Sequence, residues 1–123
     1  MEHFFHCSAR ARKNVKKSKH RISECCDTVK IVLSTNPEYG ALIKGSEGLR
    51  KMRVKAPSLN VGKSGGYRLI YKASLIDEVW RIVLMATYFK GDCEDLPESD
   101  YKDIRTEALA ILSDIESVDW DLA

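Results

Sequence analysis

The sequence predicts an α+β domain: an antiparallel sheet of about four strands, with two helices before it and one helix closing it. Three observations carry this reading. Residues 22–33 place Ile22, Cys25, Cys26, Val29, Val32 and Leu33 three and four apart, the spacing of one helical stripe. Residues 49–55, 67–74 and 79–89 are instead alternating or rich in β-branched and aromatic residues. Three consecutive strands joined by short links favour an antiparallel meander.

Each element has its own local cause. His3 to Cys7 is a short aromatic-containing run and reads as a first strand. Ser8 is placed to cap a helix over residues 9–18, whose apolar content is only Ala9, Ala11 and Val15. Ser23 is the candidate cap of the second helix. Asn36-Pro37 ends that helix, because the residue before a proline is pushed out of the α region. Residues 37–48, with Pro37, Gly40, Gly45 and Gly48, read as a structured loop. In the next strand Leu49, Lys51, Arg53 and Lys55 share one face, and Arg50, Met52 and Val54 the other. Residues 56–66 form a loop, Tyr67–Ser74 and Val79–Phe89 two strands, and Ile76-Asp77-Glu78 the turn between them. Pro97–Ile115 is the closing helix, with Ile104, Ala108, Ile111, Leu112 and Ile115 as its stripe. Tyr101 falls in this helix and reads as structural. The chain divides into one domain over residues 1–116 and an acidic tail over 117–123.

A net charge of +2 conceals a strong asymmetry. Residues 1–22 hold seven Lys/Arg against Glu2, and residues 44–72 hold eight against Glu47. Residues 92–123 hold eleven Asp/Glu against Lys102 and Arg105. A basic body with an acidic end implies an anionic partner and a tail able to shield the surface that binds it; the plainer alternative is a set of ordinary solvated faces. The four cysteines include no CxxC pair, and His3, His6 and Cys7 are spaced to point to opposite sides of a strand, so neither metal nor cofactor is expected. No apolar run is long enough for a signal peptide or a membrane span, which places the expected protein in a reducing cytoplasm with free thiols.

The most informative stretch is Lys63-Ser64-Gly65-Gly66-Tyr67-Arg68, a cation and two glycines entering a strand that carries an arginine. Glycines let a backbone pass close to a ligand, and a guanidinium at the mouth of a strand can clamp a phosphate. Gly62-Lys63-Ser64 echoes the end of a nucleotide-binding P-loop. However, Pro57 occupies the position of the required first glycine, and a strand rather than a helix follows. The remaining constellation is Lys51, Arg53, Lys55, Lys63, Arg68, Tyr88 and Lys90. No Ser–His–Asp, Cys–His or paired-carboxylate set competes with it. Cations and a phenol without a protein nucleophile suit a substrate that carries its own, as RNA does in its 2′-hydroxyl. A basic face that binds anions without catalysis fits the same residue types. Tyr67, Tyr71, Trp80 and Phe89 read first as core, with room for one to face a base.

The run NPEYGALIKGSEGLRKMRVK, then GKSGGYRLIYK, then a strand ending TYFKGDCEDLPESD, resembles the RelE/ParE superfamily of bacterial type II toxins, and within it the HigB-like branch of RelE toxins. The resemblance covers residues 36–105 by motif and residues 3–35 by element order. It implies the α+β architecture above and a ribosome-dependent messenger-RNA endoribonuclease that inhibits translation. It implies as partners the ribosome, messenger RNA and a cognate antitoxin of helix-turn-helix type, with no membrane. Arg68 then matches the arginine that holds the scissile phosphate, and Lys63, Lys90 and Tyr88 join it as catalytic candidates. Lys51, Arg53, Lys55, Lys63 and Arg68 form the RNA-binding set. The general base stays open among Lys55, Lys63, Tyr88 and Lys90. Gyrase poisoning of the ParE type, or a non-catalytic module that binds antitoxin or RNA, are the alternatives within the same resemblance.

Overall fold

The computed structural model describes residues 2–17, 26–54, 66–90 and 95–114. Its elements in chain order are β1 (His3–Cys7), α1 (Ala9–Lys17), α2 (Cys26–Thr35), β2 (Ala41–Leu42), β3 (Leu49–Val54), β4 (Tyr67–Ile76), β5 (Val79–Phe89) and α3 (Glu98–Ser113). The strands form one sheet in the order β1-β5-β4-β3-β2. β2 through β5 pair antiparallel, whereas β1 runs parallel to β5 at the far edge. The expected cap at Ser23, the loop over residues 56–65 and the acidic tail over 117–123 lie outside the described residues.

The α+β class and the meander β3-β4-β5 agree with expectation, but the sheet has five strands rather than about four and is mixed rather than antiparallel. The extra strand is Ala41–Leu42, two residues long, too short to generate any periodicity. It forms because the loop before β3 is pinned from below. Tyr71 Oη donates to Pro37 O at 3.0 Å and accepts from Gly40 N at 2.7 Å, while Arg50 donates to the carbonyls of Glu38 and Gly40. A Cβ at Gly40 would stand 2.8 Å from the Tyr71 ring, so only glycine lets the loop come so close. β4 also runs two residues past Ser74, to Ile76. The turn it enters is Asp77-Glu78, both at positive φ (52° and 67°), as a two-residue hairpin with strand-matching twist requires.

Two cores lie on opposite faces of the sheet. On one, α1 and α2 bring Ala11, Val29 and Leu33 against Met52, Val54, Tyr67, Leu69, Tyr71, Ile82 and Leu84. On the other, α3 brings Ile104 and Ala108 against Leu49, Ile70, Val83, Met85 and Ala86. Tyr67, Tyr71 and Phe89 belong to the first core, with Tyr67 and Phe89 edge-to-face at 5.6 Å, so they are packing residues rather than base platforms.

A bulge in β5 sets the phase of the second half of that strand. Tyr71 pairs with Leu84 and Ile70 with Ala86, leaving Met85 as the extra residue. Before it, Ile82 and Leu84 face α1 and α2; after it, Ala86 and Tyr88 face α3. The start of α1 satisfies the backbone along this stretch. Ser8 N donates to Leu84 O, Ser8 Oγ donates to Met85 O at 3.0 Å, and Asn14 Oδ1 accepts from Thr87 N. Ser8 Oγ also accepts from Ala11 N at 3.0 Å, the expected helix cap.

Candidate functional site

The α3 face of the sheet carries the site. Arg53 pairs with Arg68 across β3 and β4, and Arg68 pairs with Tyr88 across β4 and β5. Residues directly opposite on neighbouring strands share a face with Cβ atoms about 5 Å apart. Arg53, Arg68 and Tyr88 are therefore one row running across three strands. Lys51 lies on the same face of β3, two residues and about 7 Å along the strand.

Arg68 differs most from its expected setting. Instead of standing open at the mouth of β4, it is 4% exposed. Its guanidinium donates to Tyr67 O at 3.3 Å, and no carboxylate pairs with it among the described residues. A buried cation without a counter-ion costs on the order of several kcal/mol. That cost has no structural compensation within the row, since Arg53 across from it is also positive and exposed.

Lys51 has the opposite environment. Its Nζ lies 3.0 Å from Asp95 Oδ1, and it sits over the rings of Tyr101 (5.8 Å) and Tyr88 (6.0 Å). The same Asp95 oxygen accepts from Tyr101 Oη, from Leu96 N at 2.8 Å and, at a longer 3.4 Å, from Tyr88 Oη. Burial acts to lower the Lys51 pKa, but its hydrogen bonds to Asp95, Tyr101 and Tyr88 outweigh that and hold it well above the ordinary lysine value. Lys51 is thus a fixed cation and not a proton acceptor. Burial pushes the Tyr88 phenol up, against the opposing pull of Lys51, so at neutral pH it is a proton donor. Tyr101 is raised in the same way by burial and by Asp95. Burial acts to raise Asp95, yet the donors from Tyr101, Lys51 and Leu96 prevail and keep it below the usual carboxylate range.

Of the residues proposed from sequence, Lys51, Arg53, Arg68 and Tyr88 come together on this face. Lys90 follows the end of β5 in a turn, its amide donating to Gly66 O at 3.0 Å. Lys55 and Lys63 lie outside the described residues. Tyr101, read from sequence as a structural residue of the closing helix, lies in the Lys51 cluster, with its hydroxyl donating to Asp95. Asp95 holds that cluster together; its only sequence signal was its place in the run ending TYFKGDCEDLPESD, which does not reveal that it reaches β3.

No model of a known protein family matches the chain. Among solved structures, the free state of a double arginine-to-alanine mutant of E. coli toxin RelE superposes with a TM-score of 0.54. The match covers 89% of this chain and 97% of that one at 21% sequence identity. At that identity the likeness speaks for the fold: among the described residues, three helices on a five-stranded mixed sheet, similar to RelE.

Proposed function

We propose that this chain is the toxin of a type II toxin–antitoxin pair, of the HigB-like RelE type, and that it cleaves messenger RNA on the ribosome. The observation that carries the reading is Arg68, a buried guanidinium with no carboxylate among the described residues, centred in a row with Arg53 and Tyr88. An RNA phosphate is the counter-ion such a group lacks, and arginine's planar fork fits it.

In this mechanism the 2′-oxygen of the RNA attacks the adjacent phosphorus and the bond to the 5′-oxygen breaks, leaving a cyclic phosphate and a 5′-hydroxyl. Arg68 and Arg53 offset the charge that grows on the non-bridging oxygens. Tyr88, neutral at pH 7, gives its proton to the departing 5′-oxygen. The proton of the 2′-hydroxyl goes to a base drawn from Lys55, Lys63 and Lys90. The protein acts in the cytoplasm, and its partner is a helix-turn-helix antitoxin.

The test is induction of the gene followed by mapping of messenger ends. Wild type gives growth arrest and new 5′ ends within codons. Arg68→Ala abolishes both while its melting temperature stays level or rises, because the substitution removes an uncompensated buried charge. Arrest by Arg68→Ala equal to wild type would defeat the assignment.

A further inference from the structure

Between the loop leading into β3 and the first turns of α3 lies a cavity of about 620 Å³, a volume within the range of small-ligand sites. Lys44, Lys102, Arg105, Asp95, Glu98 and Tyr101 are in its wall. It opens beside the candidate site, because Asp95 and Tyr101, which line it, are the groups that hold Lys51. Arg105 is committed to the wall, donating to Gly45 O at 2.9 Å and facing Glu47 at 4.0 Å. The ammonium groups of Lys44 and Lys102 have no hydrogen bond or ion pair among the described residues.

We infer that this cavity is a nucleotide subsite, which seats the ribonucleotide adjoining the cleaved phosphate; the inference rests on the RNA-cleaving function proposed above. A nucleotide brings the three chemistries that the wall can meet. Its phosphate suits the two uncommitted lysines. Its ribose hydroxyls can donate to the Glu98 carboxylate, a group that a bare anion would avoid. Its base can lie on the Tyr101 ring, a contact tolerant of sequence. Simple anion binding would leave the Glu98 carboxylate in the wall unmatched, and a purely apolar ligand would leave the cations unmatched.

The experiment measures binding of a fluorescent single-stranded RNA, which the ribosome-dependent reading leaves uncut when ribosomes are absent. Wild type, Lys44→Gln/Lys102→Gln and Arg68→Ala are compared over a salt series. The double variant is expected to bind about tenfold more weakly at low salt, and its log–log salt slope to flatten by about 0.7 for each phosphate that is no longer neutralised. In wild type, 4-thiouridine in the RNA is expected to crosslink within residues 95–105. Equal affinity and slope in the double variant, or crosslinks that avoid that segment, overturn the subsite and leave the cavity to a protein partner. If Arg68→Ala alone weakens binding, the subsite falls while the proposed function stands. If the double variant alone weakens it, the subsite stands and the role of Arg68 falls. Failure of wild type to bind RNA at all overturns both.

Discussion

Asp95 shows how much one exposed carboxylate can organise. Its oxygen gathers donors from β3, β5 and α3, and it fixes Lys51 as a spectator cation rather than a base. Because its folded pKa lies below the unfolded value near 3.8, its stabilisation is complete above about pH 4 and disappears as the pH falls through the folded value. Asp95→Asn is therefore expected to lower stability by about 0.5–1 kcal/mol at pH 7, a modest figure because the side chain is 55% exposed. The gap between the two proteins should narrow steadily in melts taken at successively lower pH below about 4; a gap that stays constant across that range would remove the electrostatic account. Arg68 is the complementary case. Its residue type and strand position are legible in sequence, but its burial is not, since burial depends on what packs around it.

Among the elements, the decisive feature is the join between α1 and β5. Ser8 serves at once as helix cap and as donor to the bulged residue Met85. Ser8→Ala is expected to cost about 1–2 kcal/mol, at the upper end for a cap because a buried carbonyl loses its partner as well. The loss should be visible in denaturant titration, with the Tyr88 environment shifting in NMR spectra. A loss confined to stability, with Tyr88 unmoved, would show that Ser8 does not support the bulge. The β4–β5 turn offers a gain instead. Glu78 holds a φ of 67° that glycine adopts without strain. Glu78→Gly is expected to raise stability by about 0.5–1 kcal/mol, read as a higher denaturation midpoint. The cap at Ser8, the turn at Asp77-Glu78 (though not the inclusion of Ile76 in the strand before it) and the span of β5 were legible from local residue types. The two-residue β2 was not, because its cause is the distant Tyr71 hydroxyl rather than its own side chains.

Across the whole molecule, the sheet separates a core built with α1 and α2 from one built with α3, and the site rests on the second. α3 carries Tyr101, and Asp95 lies just before it. Ile104→Ala, at a fully buried position of α3, is expected to cost about 2–5 kcal/mol. It should also loosen the Lys51 cluster, since the helix that presents Tyr101 loses its anchor. Calorimetry together with the titration of Lys51 followed by NMR checks both parts. An unchanged Lys51 titration in a destabilised variant would mean that the cluster does not depend on how α3 is docked.

Periodicity and local residue preferences suffice for the α+β class, the helices, the three-strand meander and the placing of Lys51 and Arg53 on one face of β3. They do not suffice for the side that Tyr88 takes, which long-range packing sets. By simple alternation Tyr88 shares the face of Ile82 and Leu84, away from Arg68. The extra residue at Met85 inverts that phase and turns the phenol toward the guanidinium. A bulge is a property of pairing between two strands, stabilised here by a helix from the other end of the chain, so no window of neighbouring residues contains it.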